Sequence, residues 1–354
     1  MNKKLIILAL FLLIISIALT AFFKSQSTIT VTEQSKNINN KEKNMINRTN
    51  PNNQNIELGK VSWYRDYQEA LALSKKEGKP ILLFFQEIPG CSTCVNFGRD
   101  VLSHPLMVEA IENEFIPLAI YNNKPGADAE ILAKYNEPSW NNPVAHFIDD
   151  SGKDIIPKLA NNYQPLSMLD KIIEALSSRG KSIPAYIQIL RKEIKVKYGY
   201  TKTTAFETPC FWSGETSLAQ RSGVYTTLAG FVGHKEVVKI AYDPKIVSEV
   251  ELAKYAQDQG FYPIQNFENF RIDKDPQYYL KNSRFRYLPL SAAQRTAINY
   301  ALPYKQDPEK YLSPKQLEWY NDSNLESYSS SITYTNNIED SWNLLGKNKV
   351  ANGQ

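Results

Sequence analysis

Lys79-Pro80-Ile81-Leu82-Leu83-Phe84-Phe85 runs through Gln86-Glu87-Ile88-Pro89-Gly90 into Cys91-Ser92-Thr93-Cys94. An unbroken apolar run of this kind reads as a strand buried on both faces. A cysteine pair directly after such a strand falls at the start of the next helix. Unpaired backbone N–H groups and the helix dipole favour a thiolate there, at Cys91. Cys94, one turn further on, is placed to attack a mixed disulfide on Cys91. Two cysteines are too few for a closed structural zinc site, which takes four ligands. Strand, dithiol and helix in this order set the fold class as α/β.

Working outward, helical spacing predicts a helix over residues 64–77. Further helices are expected over 94–102, 105–114, 127–135 and 165–178, and strands over 115–121, 144–148 and 154–159, with Asp149-Asp150-Ser151-Gly152 as a turn. Gly180-Lys181-Ser182-Ile183-Pro184 reads as a hinge, and residues 185–195 as a linking helix. Beyond it come a strand (203–207), a helix (211–221), two strands (223–232 and 235–242) and a helix (247–259). This is the order of a ferredoxin-like α/β core. After Asp307 the chain turns Asn- and Ser-rich, with a docking helix expected near 311–320 and a frayed end.

The whole chain has 354 residues, 42% hydrophobic, enough for two ordinary cores. Its net charge of +4 has no basic run interleaved with aromatics, so no nucleic-acid partner is implied. Met1-Asn2-Lys3-Lys4 precedes an apolar run from Leu5 to Phe23. We read this run as a retained signal-anchor helix with Lys3 and Lys4 on the cytoplasmic side. A cleaved signal and a secreted chain are the alternative. Both put the remainder outside the cytoplasm. The expected division is a signal-anchor helix over 1–24, a disordered tether over 25–57, a first domain over 58–180, a second over 181–310 and a tail over 311–354.

The third of the three cysteines stands in Thr208-Pro209-Cys210-Phe211-Trp212-Ser213-Gly214-Glu215. If Phe211 starts a helix, Cys210 also lies at a helix N-terminus. Two adjacent aromatics suit a methyl-thioether better than a charged group. A carboxyl group beside them, such as Glu236 in His234-Lys235-Glu236, is suited to donate a proton to an oxygen. The plain alternative is an unreactive buried thiol with Phe211 and Trp212 as core.

The first domain resembles the thioredoxin-like domains of exported bacterial proteins, on Lys79 to Phe85 and Gly90-Cys91-Ser92-Thr93-Cys94. Asn142-Pro143-Val144 matches that family's cis-proline loop. The resemblance implies a cis Pro143 that helps shape the partner-docking groove. Gly90 stands where a tryptophan is usual. No acid lies mid-strand, and Glu87 is the nearest substitute.

The second domain resembles peptide methionine sulfoxide reductase of the A type. The resemblance rests on Pro209-Cys210-Phe211-Trp212-Ser213-Gly214-Glu215, on Gly223 to Phe231, and on His234-Lys235-Glu236 to Tyr242-Asp243-Pro244. It implies Cys210 as nucleophile on the sulfoxide sulfur, Phe211 and Trp212 around the substrate methyl, and Glu236 protonating the oxygen. The family's tyrosine-bearing loop before His-x-Glu is missing, since Gly233 runs into His234. Its later Asp and Tyr have no clear match, Asp275 with Tyr278 or Tyr279 being the nearest.

Together the resemblances imply an extracytoplasmic oxidoreductase acting on sulfur groups, in which the Cys91–Cys94 dithiol recharges Cys210. No cofactor is required. The partners are proteins bearing disulfides or methionine sulfoxide and a membrane or extracytoplasmic thiol reductant. The alternative is a thiol–disulfide oxidoreductase whose second domain only binds clients. Copper delivery by two thiolates and a histidine is a further reading, although spacing places neither His104 nor His146 beside the pair.

Overall fold

The apolar run forms β1 (Ile81–Gln86), buried along its whole length. The structure is a computed structural model that describes residues 48–140, 143–329 and 335–351. β1 pairs in parallel with β2 (Ile116–Tyr121) and antiparallel with β3 (Val144–Ile148), giving the order β2-β1-β3. Its two faces feed two apolar layers, as a period of two dictates. Leu82 and Phe84 join Trp63, Phe97, Leu106 and Phe147. Ile81, Leu83 and Phe85 join Tyr67, Leu118, Ile120 and Val144.

Helices cover the sheet: α1 (Tyr67–Glu77), α2 (Ser92–Asp100), α3 (Pro105–Glu114), α4 (Ala127–Lys134) and α5 (Pro165–Ser178). Asp66 caps α1, accepting from the Glu69 amide at 2.7 Å. The strand expected over 154–159 reduces to isolated bridges, Ile148 with Asp154 and Ala145 with Leu159. Pro157 sits within it and has no N–H for a ladder.

After α6 (Ala185–Lys197) a second sheet follows: β4 (Lys202–Glu207), β5 (Val224–Val232), β6 (Lys235–Tyr242), β7 (Tyr262–Pro263) and β8 (Arg271–Ile272). All its pairings are antiparallel, in the order β7-β4-β6-β5-β8. α7 (Phe211–Ala219) and α8 (Glu249–Asp258) complete the strand–helix–strand–strand–helix order expected. Phe206, Phe211, Leu218, Val238, Ile240 and Leu252 are in its core. Then come α9 (Tyr278–Lys281), α10 (Ala292–Ala301), α11 (Pro314–Tyr320), α12 (Leu325–Tyr328) and α13 (Ile338–Ala351).

The linking helix lies where expected, and two further segments, the tail and the end of the tether, differ from expectation. The hinge at 180–184 leads into a helix held on both sides. Tyr186, Ile187, Leu190 and Ile194 of α6 belong to the first core, while Lys195 pairs with Asp243 at the end of β6, 2.7 Å away. Asn50–Gln354 form one compact unit. The tail from 311 is structured: Trp342 of α13 packs on Trp319 of α11 at 4.6 Å, and the Lys315 amide donates to Glu109 of α3 at 2.7 Å. The end of the expected tether is also built in, because Ile56–Leu58 is a 3-10 turn with Glu57 and Leu58 buried.

The signal-anchor helix over 1–24 and most of the tether lie outside the described residues. Among the described residues, no helix is long and apolar enough to cross a membrane.

Candidate functional site

Cys91 is the N-cap of α2 and is exposed, whereas Cys94, within the first turn, is buried. The sulfurs lie 3.3 Å apart as free thiols. Their environments push them in opposite directions. The Cys94 backbone N–H, bonding the Cys91 sulfur, holds that thiol below its usual range. Burial pushes the Cys94 thiol up to about 12, helped by the neighbouring Cys91. A reactive outer thiol and a protonated inner one are the division of labour that stepwise exchange requires.

Gly90 and Glu57 fix this loop. A side chain at Gly90 would put its Cβ 2.4 Å from the Glu87 carbonyl and 2.6 Å from the Cys94 Cβ. The backbone there packs against the inner cysteine, which explains why no tryptophan stands at this position. The Gly90 amide donates to the buried Glu57 carboxylate at 2.6 Å. The Gln86 side-chain amide donates to the Glu57 and Cys94 carbonyls. Glu57 escapes a sequence reading because it belongs to a 3-10 turn in a polar stretch far from the dithiol in sequence. Glu87, the acid singled out from sequence, places its carboxylate with both thiols within a 4.8 Å set, the one group among the described residues with metal-ligand geometry. It offers one ligand fewer than a closed zinc site.

Pro143 is buried at the start of β3, where Val144 pairs with Phe85 at the end of β1 nearest the dithiol. Asn142, and with it the Asn142–Pro143 peptide bond, lies outside the described residues. Neither histidine of the copper reading belongs to the dithiol set. His146 bonds Asp154 at 2.9 Å and Glu137 at 3.0 Å, and His104 faces Glu193 at 3.7 Å.

Cys210, half-buried, is the N-cap of α7. The first amide of that helix, Phe211 N, donates to Glu236 Oε2 at 2.9 Å. Glu236 therefore sits at the helix end that Cys210 caps. Phe211 and Trp212 meet edge-on, with centroids 5.8 Å apart, but differ in burial. Phe211 turns into the core, edge-on to Phe231 at 5.3 Å. Trp212 stays 37% exposed and stacks on Tyr278, with centroids 4.2 Å apart. Of the two tyrosines singled out from sequence, Tyr278 is the one that stacks on Trp212, and Tyr279 meets Tyr278 edge-on. Asp275 pairs with Lys281 instead.

Glu215 sets where Tyr278 lies. It is fully buried, and its two oxygens accept from Ala229 N and Gln277 N, each at 2.9 Å. Burial pushes its carboxyl up to about 8. Gln277 has a φ of 53° and donates its side-chain amide to the Thr227 carbonyl, while Asn299 accepts from Tyr279 N and Leu280 N. Between β5 and β6 the turn is only Gly233-His234, with Gly233 at φ 62° and His234 exposed. The tyrosine-bearing loop has no counterpart there.

Residues 62–149 match the family model described as thioredoxin-like. Peptide methionine sulfoxide reductase MsrA of Rippkaea orientalis is 37% identical over 70 residues, which is 15% of this chain and 32% of that protein. The enzyme of the same name from Brucella anthropi is 31% identical over 113 residues, 26% of this chain and 51% of its own. The chain thus spans about a third to a half of the length of these curated relatives. A solved DsbH oxidoreductase covers 35% of this chain and 90% of its own, at 24% identity and a TM-score of 0.29. The chain joins a thioredoxin-like domain to a segment similar to methionine sulfoxide reductase of the A type.

Proposed function

We propose that this protein is an extracytoplasmic methionine-S-sulfoxide reductase that carries its own thioredoxin-like recharging domain. The observation that carries the proposal is Cys210 at the α7 N-terminus with Glu236 on the adjoining amide and the Trp212–Tyr278 stack alongside. The Cys210 thiolate attacks the sulfoxide sulfur, and Glu236 delivers a proton to the departing oxygen. Methionine leaves, and Cys210 becomes a sulfenic acid.

Cys210 has only Cys91 and Cys94 as companions among the three cysteines of the sequence. The Cys91 thiolate attacks the Cys210 sulfur and releases water, forming a Cys91–Cys210 disulfide. Cys94 then attacks Cys91, freeing the Cys210 thiolate and closing Cys91–Cys94. A thiol reductant outside the cytoplasm returns two electrons and two protons to that disulfide. The apolar run from Leu5 to Phe23 supports anchoring beside such a partner.

The test is single-turnover reduction of S- and R-methionine sulfoxide by the pre-reduced full chain, beside Cys210→Ser. Methionine from the S epimer alone, absent in the variant and matched by a Cys91–Cys94 disulfide, is expected. No methionine, with a dithiol that still exchanges, defeats the reading. The two-residue Gly233-His234 turn favours the second reading, a thiol–disulfide oxidoreductase whose second domain binds clients without turnover.

A further inference from the structure

Away from both sulfur sites, a cavity of about 320 Å³ opens between α6 and the turn that follows α7. Arg191 and Lys192 of α6 line it with Arg221, Ser222 and Tyr225, and its lining contains no Asp or Glu. The volume falls in the small-molecule range of roughly 300–1,000 Å³.

The cations here are incompletely paired. Arg191 has Asp170, at 2.7 Å. Lys192 has the face of the Tyr225 ring at 5.8 Å and no carboxylate partner in the structure described. Burial alone holds its ammonium below the usual lysine range. The Arg221 Nε–H is buried without a hydrogen-bond acceptor. Neighbouring acids are committed elsewhere. Asp243 accepts from Lys195, Tyr225 and the Lys245 amide, and Glu251, which faces Arg221, takes both the amide and hydroxyl of Ser248. A desolvated cation without a carboxylate is unfavourable, and a group with several acceptor oxygens in the cavity relieves it.

We propose that this cavity binds a phosphate-type oxyanion, as free phosphate or as the phosphoryl end of a small molecule, between Lys192 and Arg221. Its placement links the two sulfur sites. α7 carries Cys210 at one end and reaches the cavity at the other, and α6 is built into the core beneath the dithiol.

The test is equilibrium dialysis of the full chain against inorganic phosphate, with ionic strength held constant by chloride. One saturable site per chain is expected. Its affinity should fall at least tenfold in Lys192→Gln and in Arg221→Gln and stay unchanged in Lys254→Gln, an exposed lysine on α8. Thermal melts of the variants without phosphate keep a folding defect distinct from loss of a ligand, and wild type and Lys254→Gln should gain more melting temperature on adding phosphate than Lys192→Gln or Arg221→Gln. Non-saturable uptake, or an equal loss in all three variants, overturns the proposal. Sedimentation with phosphatidylglycerol vesicles separates the two sources of such a group. Dependence on Lys192 and Arg221 there assigns it to a lipid headgroup, and independence to a soluble phosphate.

Discussion

Trp212 and Tyr278 stack with ring centroids 4.2 Å apart and planes 23° from parallel. The two come from α7 and α9 of the second domain, and both residues stay 37% exposed. An exposed stack beside Cys210 is an apolar wall of the kind a methyl-thioether contacts. An aromatic pair of this type contributes about 0.5–1.5 kcal/mol beyond its buried area. Tyr278→Ala should therefore raise KM for methionine-S-sulfoxide several-fold, with Tyr278→Phe near wild type if the ring alone matters. Steady-state kinetics beside tryptophan fluorescence checks both.

The two thiols of the dithiol should differ sharply toward an alkylating agent. Cys91, exposed and lowered in pKa by the Cys94 N–H, should be modified at pH 7 with a midpoint below 9. Cys94, buried and raised to about 12, should react at least a hundred-fold more slowly. Mass spectrometry of timed iodoacetamide reactions across pH reads both rates. Comparable rates would remove the asymmetry on which stepwise exchange rests.

Gly90→Ala tests the close approach of backbone to Cys94. The added Cβ meets the Glu87 carbonyl and the Cys94 Cβ well inside contact distance. Overpacking of this kind costs about 1–3 kcal/mol. The loop has to move, so the Cys91–Cys94 equilibrium with glutathione should shift together with the melting temperature. A variant with an unchanged melting temperature and an unchanged equilibrium constant would mean the loop yields freely.

Glu215 gives stability a pH dependence of known sign. Its native carboxyl is raised to about 8 from an ordinary 4.5. Between those values the native chain holds a proton that the unfolded chain releases. Stability from this group is therefore full below about 4.5 and falls as pH rises to about 8. The total is up to ~5 kcal/mol at about 1.4 kcal/mol per unit. Glu215→Gln should lose that slope in urea midpoints taken across pH 5–8. It should also be less stable at low pH, because an amide cannot accept from both Ala229 N and Gln277 N with both of its ends.

The parts of the fold legible in sequence were those set by local rules. β1 announces itself as an apolar run, and the cysteines of both sites follow a strand and precede a helix, so Cys91 and Cys210 fall at N-caps. Contacts between distant segments were not legible. Glu57 reaches Gly90 across the first domain, and no periodicity marks it. Tyr278 and Tyr279 are alike in sequence. What separates them is Gln277 at φ 53°, pinned by Glu215 and by its bond to Thr227, which turns one ring toward Trp212. The amphipathic pattern of α6 shows an apolar face but not which core receives it. The strand expected over 154–159 failed because Pro157 lacks the donor a ladder needs.

α6 also limits how this chain can be dissected. Its Tyr186, Ile187, Leu190 and Ile194 fill the first core, and its Lys195 is tied to Asp243 in the second domain. Cutting at residue 180 would leave one fragment with an empty apolar slot and the other with a greasy helix nothing covers. Each fragment is expected to melt below the full chain, so the two sulfur centres are to be assayed in the intact protein.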